Sequence, residues 1–157
     1  MRVFRGFMLY PVRPVYFIHT PKQVLMIYEG DAQVRRVHLD VPHSETVKSS
    51  WYGESVGQYE GDTLVVDTIG LSDRTFLDNF RTPHSDKLHV VERWKLVDQG
   101  KMLEVNITID DSEAFNQPFS VVQRYRRTPG TLLEEICAEN NSIFFGERVP
   151  VADKPDF

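Results

Sequence analysis

The chain consists largely of short stretches in which apolar and polar residues alternate, separated by turns rich in glycine, proline and aspartate. The clearest stretch ends in Asp110, and its apolar residues are Leu103, Val105, Ile107 and Ile109. Because neighbouring side chains of a strand point to opposite faces, this pattern predicts a β-strand that is buried on one face. Helical periodicity is scarce elsewhere, so the sequence predicts an all-β protein.

Strands are predicted, in chain order, at residues 15–19, 24–29, 34–39, 56–59, 63–69, 88–97, 103–110, 119–126 and 132–139. Tight turns at 30–31, 60–62, 98–101 and 128–131 join neighbours as hairpins, and 72–79 and 112–114 are predicted to form helical turns. About eight sequential antiparallel strands most naturally close into an up-and-down, lipocalin-like β-barrel, which has no exposed sheet edge and can hold one small ligand. A two-sheet sandwich is the alternative. Residues 1–157 are predicted to form a single domain, with a core of about 15–141 and terminal extensions at 1–14 and 142–157.

Composition limits the partners and the compartment. The formal net charge of −5 argues against nucleic acid, because binding to nucleic acid relies on lysine and arginine. No apolar run approaches the roughly 20 residues of a membrane-spanning helix, so membrane insertion is not expected.

Cys137 is the single cysteine and is predicted to be a small buried apolar residue. The apolar stretch near Arg5 is too short for a signal peptide, so the sequence predicts a cytoplasmic protein, or a periplasmic or secreted one if a signal lies upstream. The sequence is compatible with a homodimer as well as with a monomer.

The predicted strand 88–97 carries a carboxylate on its buried face. Alternation places Leu88, Val90, Glu92, Trp94 and Leu96 on one face, and His89, Val91, Arg93 and Lys95 on the other. The first set is the apolar one, so Glu92 is expected among apolar neighbours. A buried carboxylate must find a partner or shift its pKa, which makes Glu92 a candidate catalytic acid or base.

Arg35 is the predicted partner of Glu92. In the strand 34–39, Arg35 shares a face with Val37 and Leu39. Arg36 shares the opposite face with Val34, His38 and Asp40. An inward arginine beside Glu92 would bind the anionic part of a substrate while the acid moves a proton. A buried structural salt bridge is the alternative, and the sequence does not decide between the two.

Three further residues are candidates for catalysis. His84 lies just before the strand and is expected to reach the mouth of the barrel as a second proton carrier. His89 is predicted on the opposite face from Glu92. Asp67 shares a face with Val65 and Ile69, so it would be a second buried carboxylate, and a partner for His89 or an arginine, if that face points inward. Asp110-Asp111 is instead expected to end a strand and cap a turn.

Inward aromatic side chains are expected to line the ligand cavity. Tyr28 and Trp94 are the candidates, and they would suit a flat or apolar organic molecule. No metal site is expected, because His89 and Glu92 lie on opposite faces of one strand and cannot converge on a zinc ion. The nucleotide-binding glycine motifs are absent from the sequence, so no cofactor is expected.

Several runs resemble a large family of uncharacterised bacterial proteins. The hallmark run is GQYEGDTLVVDT at 57–68, accompanied by VRRV at 34–37, PHSD at 83–86, LHVVER at 88–93, residues 108–111 and CAENN at 137–141. The resemblance covers roughly residues 20–141. Tyr59 and Phe119 stand where the family usually has tryptophan, so both positions keep an aromatic ring. The resemblance implies a lipocalin-like barrel and the polar cluster, and members commonly carry an export signal, but it implies no particular reaction.

The sequence therefore predicts a small-molecule-binding β-barrel that works without a cofactor as an acid–base enzyme of the lyase, isomerase or hydrolase type. The expected substrate is a small, largely apolar organic molecule. A non-catalytic carrier of a hydrophobic ligand is the alternative, and it predicts that Glu92 and Arg35 are held by each other.

Overall fold

A computed structural model describes residues 14–29, 33–78 and 80–131 of the chain. Its strands are β1 (Val15–His19), β2 (Gln23–Tyr28), β3 (Gln33–Leu39), β4 (Glu54–Glu60), β5 (Thr63–Ile69), β6 (His89–Val97), β7 (Met102–Asp110) and β8 (Phe119–Arg126), and a short 3-10 turn lies at Asp98–Gly100. The eight strands lie side by side in chain order in one curled sheet that forms a half-barrel. The prediction of an all-β, barrel-like fold of about eight sequential strands is thus confirmed. The predicted strand 132–139 and Cys137 lie outside the described residues.

One pair of neighbouring strands differs from the prediction of sequential antiparallel pairing. β3 and β4 run parallel, with Val37 opposite Ser55 and Leu39 opposite Gly57. Parallel neighbours need a long crossover connection, and residues 40–53 provide it. The close approach also requires glycine, because a Cβ at Gly57 would lie 2.7 Å from Val37 Cγ1 and 2.9 Å from the carbonyl oxygen of Val65.

The hairpins around 60–62 and 98–101 follow the predicted turns. β4 and β5 pair up to Glu60 opposite Thr63, and Gly61 between them adopts a positive φ of 62°. After β7, the Asp111 carboxylate accepts hydrogen bonds from the backbone N–H groups of Glu113 and Ala114, so the predicted capped turn is confirmed. The predicted Gly30-Asp31 turn falls outside the described residues, although β2 and β3 are paired as expected.

The core lies on the inner, concave face of the sheet. Its buried apolar members are Val24, Met26, Val37, Leu64, Val66, Leu71, Leu77, Leu88, Val90, Trp94, Val105, Ile107 and Ile109. The alternation predicted for β6 is confirmed through Trp94 but is wrong for Leu96, which is 62% exposed. The pairing of β6 with β5 ends at Lys95 opposite Thr63, so Leu96 has a neighbouring strand on one side only.

Candidate functional site

A buried ion pair joins Arg35 to Glu92 across the inner face of the sheet. Arg35 Nη2 lies 2.5 Å from Glu92 Oε2, and both side chains are almost fully buried. β3 and β6 are not neighbours in the sheet, so the Arg35 side chain passes over β4 and β5 to reach the carboxylate. The prediction that both residues face inward and meet is confirmed.

Two hydroxyl groups support the arginine along its path. Arg35 Nε donates to Ser55 Oγ at 3.1 Å, and Nη2 donates to Thr68 Oγ1 at 2.6 Å. Ser55 and Thr68 are directly opposite each other on β4 and β5, and their hydroxyl oxygens are 2.9 Å apart. A buried charge is tolerated when it is paired and hydrogen-bonded, and Glu92, Ser55 and Thr68 supply such partners to the guanidinium.

The charges of this pair affect the surrounding ionisable groups. Burial alone would lower the pKa of Arg35, but the Glu92 carboxylate more than offsets it and raises the pKa, so the guanidinium stays charged. Burial, together with the negative charge of Glu92, raises the pKa of Tyr125 to about 12. Burial likewise raises the pKa of Tyr28. Both phenols therefore stay neutral at physiological pH.

The aromatic candidates lie beside this pair. Trp94 packs edge-on to Phe17, with ring centroids 5.4 Å apart, and lies against Tyr125 at 5.8 Å. Its indole Nε1 is buried and has no hydrogen-bond partner among the residues that the structure describes. Tyr28 is half-buried, and its hydroxyl lies 3.8 Å from Met26 Sδ. The Arg35–Glu92 ion pair on the inner face thus lies in an aromatic and aliphatic setting.

The four predicted catalytic residues lie in three separate places. Glu92 is on the inner face, while Asp67 and His89 are on the outer face. His84 is buried in the loop before β6, where Nε2 lies 2.7 Å from Thr75 Oγ1 and Nδ1 lies 2.8 Å from the Ser85 carbonyl oxygen. His84 is therefore held by its own loop and has no hydrogen bond to any of the other three.

The face of β5 that carries Asp67 does not point inward, so Asp67 is not the second buried carboxylate that was predicted for that case. Leu64, Val66 and Thr68 are the inward residues of β5, and the Asp67 side chain is 37% exposed on the outer face. The strand has apolar residues at both alternating sets of positions, so its sequence does not identify the buried face. The expected contact with His89 is nevertheless present, with Asp67 Oδ2 2.9 Å from His89 Nε2.

Asp67 is the centre of a hydrogen-bonded chain of four ionisable side chains on the outer face, which we call the outer-face chain: Glu54, His43, Asp67 and His89. His43 Nδ1 lies 3.0 Å from Glu54 Oε1, and His43 Nε2 lies 2.8 Å from Asp67 Oδ1. The His43 imidazole thus lies between the carboxylates of Glu54 and Asp67. The Asp67 carboxylate lies between the imidazoles of His43 and His89.

Strand register explains how the chain assembles. Val56 lies opposite Asp67, and Asp67 opposite Val91, so Glu54 and His89 are each diagonal neighbours of Asp67 on the same face. His43 belongs to the connection between β3 and β4, which places its ring over this part of the sheet. His43 and Glu54 were not predicted from the sequence. Alternation within a strand does not show where a side chain of a long connection such as His43 will dock, and Glu54, the first residue of β4, lies before the strand predicted at 56–59.

Hydrogen bonding keeps both carboxylates of the chain ionised. Burial alone would raise the pKa of Asp67, but hydrogen bonds from His89 and His43 outweigh it and lower the pKa. The pKa of Glu54 is lowered chiefly by the Ser44 hydroxyl and backbone N–H, and then by His43. Since an ionised carboxylate only accepts hydrogen bonds, His43 makes both of its bonds at once when its ring carries two protons.

His89 is the accessible end of the outer-face chain. Its side chain is 41% exposed, and Asp67 holds its Nε2. When Nε2–H donates to the carboxylate, the Nδ1 of neutral His89 keeps a lone pair that can accept a proton. Within the described ranges, His, Cys, Asp and Glu form no group of three or more arranged to hold a metal ion.

Two clefts border β3 and β4 on the outside of the sheet. The first, of about 450 Å³, lies between β3 and the connection that leads into β4, and Glu54 is in its wall. The second has a similar volume and lies near Pro42 and Val56. Neither cleft is lined by Glu92, Tyr28 or Trp94.

Comparison of the chain with protein-family models, curated proteins and solved structures finds no match. The resemblance to a bacterial family thus stays a prediction from motifs. In the part of the chain that the structure describes, no helix has the length and apolar character needed to cross a membrane.

Proposed function

We propose that the protein is an enzyme that binds a small organic molecule and transfers protons on it by acid–base catalysis. The supporting observation is the exposed imidazole of His89, which is hydrogen-bonded through Nε2 to Asp67 at 2.9 Å. A carboxylate in this position selects the Nε2–H tautomer and stabilises the imidazolium that forms when Nδ1 takes a proton. His89 is the proposed base, and Asp67 is the proposed positioning residue.

The rest of the outer-face chain supports this role. His43 holds the second oxygen of Asp67, and Glu54 holds the other nitrogen of His43. Asp67 is therefore kept ionised and fixed in orientation, as a group that orients a general base must be. Proton abstraction, elimination, hydration, isomerisation and water-mediated hydrolysis are the reaction types that one exposed histidine base can serve.

Glu92 is less suited to direct proton transfer in this arrangement. Its carboxylate is buried and paired with Arg35, so a substrate proton would reach it only after that ion pair separated. This observation favours a second candidate function, a carrier that binds a hydrophobic ligand in a lipocalin-like hollow with Arg35 and Glu92 as structural residues. The aromatic surface around Trp94 would contact the ligand in that case.

Turnover by wild type and by Asp67→Asn separates the two candidates. The assays are hydrolysis of small p-nitrophenyl esters and hydrogen–deuterium exchange at the α-carbon of small ketones. An enzyme that uses His89 should lose at least about tenfold of its rate when Asp67 becomes Asn, because the amide cannot stabilise the imidazolium as a carboxylate does. His19→Gln, which removes another exposed imidazole on β1, should keep the rate. Ligand binding without turnover in either assay would support the carrier.

A further inference from the structure

We infer that the cleft between β3 and the connection 40–53 binds a small organic anion with an apolar body. The inference rests on the proposed function, since it names the substrate class for the acid–base site. The cleft exists because β3 and β4 pair only from Val37 and Ser55 onward, so the preceding residues of the two segments diverge. Its volume of about 450 Å³ is within the range of small-molecule sites, roughly 300–1,000 Å³.

Among the ionisable side chains that line this cleft, most are basic. Arg36, Lys48 and His38 contribute to its walls, although the whole chain carries a net charge of −5. Neither Arg36 nor Lys48 forms an ion pair with any residue that the structure describes. On the same outer face, Arg93 is paired with Glu60 at 2.6 Å and Arg124 with Glu104 at 2.7 Å. The cations of the cleft are therefore available to an external anion.

The Glu54 carboxylate in the cleft wall is already occupied by donors. Glu54 Oε2 accepts a hydrogen bond from Ser44 Oγ at 2.6 Å, and Oε1 accepts from Ser44 N at 2.7 Å and from His43. These donors offset the negative charge of Glu54 locally, so it opposes an incoming anion much less than a bare carboxylate would.

The cleft also offers a hydroxyl donor and an apolar surface. Thr46 lines it, and its hydroxyl can donate a hydrogen bond to an oxygen of a carboxylate or phosphate. Val34, which is 37% exposed, and the half-buried ring of Tyr52 provide surface for the non-ionic part of the ligand. Both features match an amphipathic anion better than a bare inorganic ion.

Glu54 connects this cleft to the proposed catalytic base. It lines the cleft and is the first member of the outer-face chain that runs through His43 and Asp67 to His89. A bound anion would therefore lie against the end of the chain opposite His89. Its charge would be compensated by the basic wall, which leaves the rest of the molecule to extend along the sheet.

NMR titration of the isotopically labelled full chain at low salt tests the inference. The probes are benzoate and phenyl phosphate, which present the two anion chemistries on one apolar ring, and benzamide, a neutral isostere of benzoate. We expect shifts of the Val34, Arg36 and Gly53 amide signals with benzoate, phenyl phosphate or both, and much weaker ones with benzamide. The relative affinity of the two anions identifies the preferred head group.

The double variant Arg36→Ala/Lys48→Ala should weaken binding of the preferred anion about five- to tenfold. Arg74→Ala/Lys101→Ala removes the same charges at exposed positions outside the cleft and should leave binding nearly unchanged. Increasing salt should weaken binding to the wild type several-fold, a measurement that needs no variant to fold. Equal binding of benzamide and benzoate, equal losses in both double variants, or shifts confined to other parts of the sheet would overturn the inference.

The same titration separates this inference from the proposed function. His89→Asn should keep the affinity for the anion, because His89 does not line the cleft. Retained binding with no turnover in any assay would contradict the enzyme and leave the anion site standing. Turnover that depends on His89, with no anion binding in the cleft, would contradict the anion site alone.

Discussion

Arg35 on β3 forms an ion pair with Glu92 on β6, crossing two intervening strands to bring Nη2 within 2.5 Å of Oε2. This contact ties distant parts of the curled sheet together inside the core. Ser55 on β4 and Thr68 on β5 accept hydrogen bonds from the guanidinium group where the Arg35 side chain passes over these two strands. The pair therefore influences the electrostatics of the inner face, where Glu92 raises the pKa of Tyr125.

Glu92→Gln should destabilise the protein by about 3–5 kcal/mol, because it leaves the buried charge of Arg35 without its counter-ion. The double variant Arg35→Met/Glu92→Leu should be less destabilised than Glu92→Gln, since no unpaired charge remains. The free energy of unfolding from urea titration measures both. Arg93→Ala breaks the exposed ion pair with Glu60 and should have a much smaller effect. Similar effects of Arg93→Ala and Glu92→Gln would contradict this account of the core.

Asp67 should make the stability of the protein depend on acid pH. Its pKa is lowered from the ordinary value of 3.8, so the folded state holds its carboxylate ionised more strongly than the unfolded state does. The resulting stability is fully present above about pH 4 and is lost as the pH falls through the folded pKa. Urea titrations at pH values from about 2.5 to about 6 measure the free energy of unfolding. As the pH falls, this free energy should decrease less for Asp67→Asn than for wild type. Identical pH profiles would show that His43 and His89 do not stabilise the carboxylate.

Tyr125 should titrate late and destabilise the fold at alkaline pH. Its pKa is raised from 10.0 to about 12, so the folded protein keeps a proton that the unfolded chain releases. Stability should therefore decrease as the pH rises above about 10. Absorbance titration of wild type and Tyr125→Phe should give the same change up to about pH 11, with a difference appearing only above it. A difference near pH 10 would mean that the phenol is exposed.

Gly57→Ala tests the parallel pairing of β3 and β4. The added methyl group would lie 2.9 Å from the backbone oxygen of Val65 and 2.7 Å from a methyl group of Val37, so the strands would have to separate. We expect a loss of about 1–3 kcal/mol in the free energy of unfolding. Gln58→Ala, at the next and exposed position of β4, is the matched control and should change it little. A neutral Gly57→Ala variant would contradict the close approach of the two strands.

The sequence predicted the inner cluster better than the outer one, and the reason lies in the strands themselves. In β6 and β3 only one alternating set is apolar enough to be buried, so Glu92 and Arg35 were placed correctly. In β5 both alternating sets contain apolar residues, so the pattern did not identify the inward face. Asp67 was predicted to be buried only if its own face pointed inward, and that face points outward. Pattern within single strands also could not reveal His43, because its position depends on how a long connection folds back over the sheet.

Turnover by His89→Gln and Glu92→Gln, compared on whichever substrate wild type converts, tests the central claim most directly. We expect His89→Gln to lose at least about a hundredfold of kcat, because the exposed base is gone. Glu92→Gln, assayed where it remains folded, should keep kcat within about tenfold of wild type, because its carboxylate is held by Arg35. An active His89→Gln beside an inactive but folded Glu92→Gln would contradict the account and place the chemistry on the inner face.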